Sequence, residues 1–115
     1  MKLLVVDDEP GLASGLAGVL ELAGYSGTRA ALSVAEANEA VAEMGGLDLL
    51  ITDVVLTPDD GFALRESLQA QWPQLRTIFI SGYDLSDYAD RMAGALFLPK
   101  PVTPEALTAA VTQLI

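Results

Sequence analysis

The sequence predicts a doubly wound α/β domain, with five β-strands in one parallel sheet and a helix after each strand. Two observations carry this. Five short apolar runs recur along the chain, and four of them are near-continuous rather than alternating, as strands buried on both faces of a parallel sheet are. Between the runs, apolar residues return at helical spacing, so strand and helix alternate from one end to the other. A third observation sets the scale: 115 residues, 51% of them hydrophobic, are enough for one domain with a real core, here taken as residues 1–115. Aromatics make up only 6%, so that core is aliphatic.

Lys2–Val6 is the first strand, and Leu12, Leu16, Val19, Leu20 and Ala23 trace one face of the first helix, which Gly24 ends. A weaker run near Gly27–Ala30 is the second strand. Ser33-Val34-Ala35-Glu36 has the spacing of a capping box, opening a helix marked by Val34, Val41 and Met44 and closed by Gly45-Gly46. Leu47–Thr52 is the third strand, Asp60-Gly61 opens the third helix, and Leu64, Leu68 and Trp72 form its core face up to Pro73. Thr77–Ile80 and Ala95–Leu98 are the last two strands. The fourth helix has to fit within Asp84–Gly94, which is short and carries Asp84, Asp87 and Asp90. Thr103-Pro104 reads as an N-cap with proline at the first helical position, and Leu107, Val111 and Leu114 continue that helix.

Composition narrows the chemistry. With no cysteine and no histidine, thiol catalysis, disulfides, imidazole bases and His- or Cys-bound metals are excluded. The net charge of −10 repels a phosphate backbone, which argues against direct nucleic-acid binding. No run approaches the ~18 apolar residues of a membrane span. The start, Met1-Lys2 and onward, does not read as a signal peptide but as a true N-terminus, so a cytoplasmic protein is expected. The chain stops at the end of the last helix without an output domain, and Ile115 is either its true end or a boundary within a longer protein.

In an open parallel sheet, ligands bind beyond the carboxyl ends of the strands. The first strand ends in Asp7-Asp8-Glu9, the third in Asp53, the fourth in Ser81-Gly82, and the fifth near Lys100-Pro101. If the first and third strands are neighbours, their carboxylates converge and need protons or a cation to offset their charge. A few hard oxygen ligands suit Mg²⁺. A carboxylate beside Mg²⁺ and a lysine can also act as a nucleophile toward phosphorus. Lys100 would place a point charge on the phosphoryl group, the Ser81 hydroxyl would donate a hydrogen bond to it, and Gly82 would leave it room.

Four pieces, "LLVVDDEP", "LLITDVVLTPDDG", "FISGY" and "FLPKP", in this order and spacing resemble the receiver domain of two-component response regulators over essentially the whole chain. The resemblance implies a flavodoxin-like sheet of strand order 2-1-3-4-5. It makes Asp53 the phosphoacceptor and a Mg²⁺ ligand, Asp8 a direct Mg²⁺ ligand, Asp7 a direct or water-mediated one, and the Val55 backbone oxygen a further ligand. Ser81 becomes the switch hydroxyl, Phe97 the switch aromatic, and Lys100 the lysine of the motif, with a cis Lys100-Pro101 bond. It implies a histidine kinase or histidine phosphotransfer protein as donor, an output protein or domain that the sequence does not identify, and a phosphorylation-dependent dimer among the assemblies. Such a chain is not an enzyme in the ordinary sense, but assists its own phosphotransfer and dephosphorylation.

Three departures stand out. Leu56 and Thr57 occupy places where the family pattern usually has Met-Pro, with Pro58 one place late, so that loop is expected to take a different path. The stretch from Ser81 to Lys100 is short, so the fourth helix is expected to be truncated, shifted or partly unravelled. Leu96 stands where an acid often precedes the switch aromatic. These departures motivate an alternative, a docking module that no longer needs phosphorylation. A Mg²⁺-dependent phosphohydrolase is a third class, without any visible substrate cap. Among the remaining residues, Asp59-Asp60 reads as a turn and N-cap, Trp72 as core, and Glu36, Glu39 and Glu43 as a solvated face. Phe97 reads as a core residue that can double as the switch, and Tyr83 as a gate to the acceptor.

Overall fold

The computed structural model describes all residues, Met1–Ile115. Its main sheet contains β1 (Leu3–Val6), β2 (Arg29–Ala31), β3 (Leu49–Asp53), β6 (Arg76–Ser81) and β7 (Leu96–Pro99), all parallel and ordered β2-β1-β3-β6-β7. Counted within that sheet, this is the expected 2-1-3-4-5. Between β3 and β6 lies a small antiparallel pair, β4 (Val55–Leu56) with β5 (Asp59–Asp60), which the apolar pattern did not anticipate. The helices are α1 (Pro10–Leu22), α2 (Val34–Met44), α3 (Gly61–Gln71) and α4 (Pro104–Leu114).

Side-chain alternation sorts the core into two layers. Leu3, Val5, Leu49, Ile51, Ile78 and Ile80 meet α1 and α4 through Leu16, Leu20, Leu107 and Val111. Leu4, Val6 and Leu50 meet α2 and α3 through Ala37, Val41, Leu64 and Leu68. The β1–β3 register pairs Leu3 with Leu49 and Val5 with Ile51. Continued by two residues, that row arrives at Asp7 and Asp53, which therefore leave the strands on the same side.

The helix starts follow the sequence signals. Ser33 Oγ accepts from the Glu36 amide at 3.1 Å, and the Glu36 carboxylate reaches back to the Leu32 amide, one residue beyond an ideal capping box. Asp60 caps α3 through the Ala63 amide at 2.7 Å, and Thr103 caps α4 through the Ala106 amide at 3.1 Å.

Three expectations need correction and one is met. The second strand begins at Arg29 rather than Gly27, because Gly27 has a φ of +83° and belongs to the preceding turn. Trp72 is not a core residue of α3. It is the C-cap, only partly buried at the rim of the second layer. The fourth helix is truncated as expected, to a single 3₁₀ turn at Ser86–Tyr88, in keeping with the short segment and its three aspartates. Phe97 is 38% exposed and lies outside the core, since no full helix covers its side of β7.

Candidate functional site

The site lies at the carboxyl ends of β1 and β3. Asp7 is fully buried, Asp53 is 6% exposed and Asp8 is exposed, and their carboxylate oxygens come within 4.8 Å of one another. Each buried carboxylate is held by the chain just beyond it. The Glu9 amide donates to Asp7 Oδ1, and the Val55 amide donates to Asp53 Oδ1, both at 2.9 Å. These two-residue turns fix the carboxylates before any ligand arrives.

Lys100 answers their charge. Its Nζ donates to Asp53 Oδ2 at 2.6 Å and lies 3.1 Å from Asp7 Oδ2. The second contact is an ion pair without hydrogen-bond alignment, which leaves buried Asp7 Oδ2 with no hydrogen-bond partner. Burial pushes the Asp7 carboxyl above its ordinary value and the neighbouring Asp53 charge adds to the rise, while the Glu9 amide and Lys100 only partly oppose it. For Lys100, partial burial works against the ammonium, but the hydrogen bond to Asp53 and the attraction of both carboxylates outweigh it and raise its pKa.

A buried carboxylate oxygen without a hydrogen-bond partner, beside a second buried carboxylate and an exposed third, is a donor set that fits a small hard divalent cation such as Mg²⁺. Val55 is the least defined of the proposed ligands. It is exposed on β4 with its amide committed to Asp53, and no contact marks its carbonyl.

The remaining sequence-predicted residues lie on β6, on β7 and in the turn after β6. Ser81 closes β6 and is buried, its Oγ accepting from the Tyr83 amide at 2.9 Å, while its carbonyl accepts from the Lys100 amide. That second bond ties β6 to the start of the Lys100-Pro101 turn, whose peptide is cis, as is Thr57-Pro58. Phe97 pairs with Phe79 across β6 and β7. Tyr83 is 73% exposed, open to solvent two residues after Ser81.

Two residues matter more than the sequence reading recognised. Gly61 was taken only as a helix start, yet its Cα packs directly against the Asp53 carbonyl, and a Cβ there would collide with that backbone. Its amide also donates to the Val54 carbonyl at 2.8 Å, closing the loop that follows Asp53. The Asp60-Gly61 pair eight residues after Asp53 was the available signal. Arg65 is the other, a buried arginine of α3 bonded to the Arg91 and Ala93 carbonyls at 2.9 and 2.6 Å. Nothing in the spacing of α3 singled it out.

Comparison with known proteins points the same way. The chain is 33% identical, over 98% of its length, to sensor kinase CckA of Brucella abortus, of which it spans 12%. It spans 52% of response regulator Rre1 of Synechocystis, to which it is 29% identical over 100% of its length. Among solved structures, the receiver domain of hybrid histidine kinase CckA is 32% identical with a TM-score of 0.83, covering 99% of this chain and 98% of that one. NtrX from Brucella abortus is 29% identical with a TM-score of 0.88, covering 98% of this chain and 26% of that one. The family description "response regulator receiver domain" matches residues 3–112. With that match across nearly the whole fold, the chain belongs to the receiver domains of two-component signalling.

Proposed function

We propose that this domain is a phosphorylation-controlled switch whose acceptor is Asp53, phosphorylated by a histidine kinase or histidine phosphotransfer protein in the cytoplasm. The observation that carries it is the buried Asp53 carboxylate, oriented by the Val55 amide and touched by Lys100 Nζ at 2.6 Å. In transfer, an Asp53 oxygen forms a bond to phosphorus as the donor's P–N bond breaks, and the freed imidazole takes its proton from solvent. Phosphoryl transfer depends mainly on positioning and on charge stabilisation. The Val55 amide supplies the first, and Lys100, free to pivot from Asp53 onto the arriving group, supplies the second. Asp7, Asp8, Asp53 and the Val55 carbonyl would hold Mg²⁺, which when bound would offset the negative charge of the carboxylates and of the incoming phosphoryl group.

The Ser81 hydroxyl keeps its own proton to donate, since its recorded hydrogen bond is one that it accepts. It is the group next to the acceptor that can bond a phosphoryl oxygen and so report its presence to the Ser81–Phe97 face. The output protein or domain reads that face, and a dimer formed on phosphorylation is one way to do so. The same site supports the domain's assistance in its own dephosphorylation.

The test is incubation with Mg²⁺ and a small phosphodonor, followed by intact-protein mass measurement. A phosphate-sized gain is expected in the wild type and none in Asp53→Ala. An equal gain in both, or no gain in either, defeats the reading. Identical partner affinity with and without phosphodonor would favour the docking module.

A further inference from the structure

The segment that replaces the fourth helix is fastened to α3 rather than left loose. The main-chain hydrogen bonds of residues 84–94 are local ones, such as Tyr88 N–H to the Leu85 carbonyl and Met92 N–H to the Tyr88 carbonyl. Side chains alone attach it to the body. Arg65 donates to the Arg91 and Ala93 carbonyls, and its guanidinium sits over Phe79. Arg91 returns the contact, forking onto the Glu66 carboxylate at 3.2 and 3.1 Å with its guanidinium 5.0 Å from the centre of the Phe62 ring. Tyr88 stacks on the same ring at 5.4 Å, and Leu85 joins a small core cluster with Val54, Phe62 and Phe79.

All the α3 anchors lie in its first half, which begins directly after the loop that follows Asp53. At the other end, Ser81 is four residues from Leu85, and its hydroxyl is tied along that leash by the Tyr83 amide. Turning the hydroxyl toward a phosphoryl group on Asp53 gives up that bond to Tyr83, at the start of the fastened segment.

From this geometry, and resting on the phosphoacceptor reading above, we propose that the Arg65–Arg91–Glu66 fastening is a latch that holds the 84–94 segment and restrains the Ser81 switch, with Arg65 and Arg91 as positioning residues. Opening the latch favours the phosphorylated form, and by linkage phosphorylation loosens the segment by the same factor.

The variants to use are Arg91→Ala and Glu66→Ala, which alter exposed side chains and leave the core intact. Two readouts separate the possibilities: backbone amide exchange of residues 86–94 without ligand, and affinity for beryllofluoride with Mg²⁺ as a stand-in for the phosphoryl group. Both variants are expected to exchange faster in this segment and to bind beryllofluoride about two- to fourfold more tightly, the scale of one exposed ion pair. Because Arg91→Ala removes the Glu66 pair together with the weaker 3.9 Å pair to Asp60, the double variant should gain little beyond Arg91→Ala alone. Faster exchange with unchanged affinity overturns the latch, since the contacts then only hold a loop, and so does unchanged exchange. Wild-type protein that fails to bind beryllofluoride defeats the phosphoacceptor reading itself, a result distinct from wild-type and variant proteins binding equally well.

Discussion

Asp7 pays for readiness with stability. Its carboxyl is buried, and burial followed by the Asp53 charge raises its pKa above the ordinary 3.8. The folded chain thus holds this proton more tightly than the unfolded chain, so the contribution of Asp7 to stability falls as pH rises from 3.8 toward the raised value, and stays lowered above it. Replacing the charge by an isosteric amide removes that penalty while keeping an acceptor for the Glu9 amide. In chelator at neutral pH, Asp7→Asn is therefore expected to be more stable by about 1 kcal/mol, or about 4 °C in Tm. Added Mg²⁺ should raise the Tm of the wild type and move the variant far less. Thermal melts with and without Mg²⁺ decide it, and a variant that melts below the wild type in chelator would show that Lys100 needs Asp7 more than Asp7 costs. The residue scale is also where the sequence spoke most clearly. Asp7, Asp8, Asp53, Ser81 and Lys100 were all legible, because each sits where an apolar run stops and a polar group has to do something. Gly61 was not, since a glycine needed for close approach reads the same as one that merely opens a helix.

Among the elements, the β4–β5 hairpin has the greatest leverage on the site. It begins two residues after Asp53 and ends at the Asp60 cap of α3, so Asp53, the hairpin and the helix form one continuous support. Gly61→Ala would drive a methyl group into the Asp53 carbonyl. The expected cost is about 1–3 kcal/mol in urea unfolding, with slower phosphorylation of whatever remains folded, because the acceptor backbone has to shift. Asp60→Ala should cost about 1 kcal/mol through the lost cap and leave the Asp53 backbone in place. If the two variants lost phosphorylation equally, the contact at Gly61 would be irrelevant to the acceptor. The hairpin escaped the sequence reading because Val55-Leu56 and Asp59-Asp60 are two-residue strands, below the length at which alternation means anything. The fourth region was legible as a weakness, though its attachment to α3 was not, since that depends on Arg65 meeting carbonyls 26 and 28 residues away.

Across the whole molecule, charge is unevenly spent. Lys100, Arg29 and Arg91 pair with carboxylates, and Arg65 and Arg76 bond main-chain carbonyls. With a net charge of −10, the outer surface is left largely anionic, including Asp8, Glu9 and Asp59 beside the site. A phosphodonor partner with a basic docking face is favoured, and its association should slow as salt rises from about 0.05 to about 0.5 M, while the isolated domain gains thermal stability as its self-repulsion is screened. Stopped-flow transfer rates and thermal melts across that range test both, and a transfer rate indifferent to salt would mean that steering plays no part. The order of elements and the sheet topology were readable at this scale because a buried parallel sheet writes itself as apolar runs. Phe97 was misjudged as core for a related reason: burial of an edge strand depends on what covers it, and here that cover is a 3₁₀ turn.

The shared row that carries Leu3 and Leu49, Val5 and Ile51, and then Asp7 and Asp53 decides where this chain tolerates insertions. A residue inserted within β1 or β3 ahead of either aspartate would send that carboxylate to the opposite layer and dismantle the site in one step. Beyond the aspartates no such parity rule applies. Two of the places where the chain departs from the usual family pattern, the loop around Pro58 and the segment 84–94, lie on that downstream side, where length can change while the carboxylates keep facing each other.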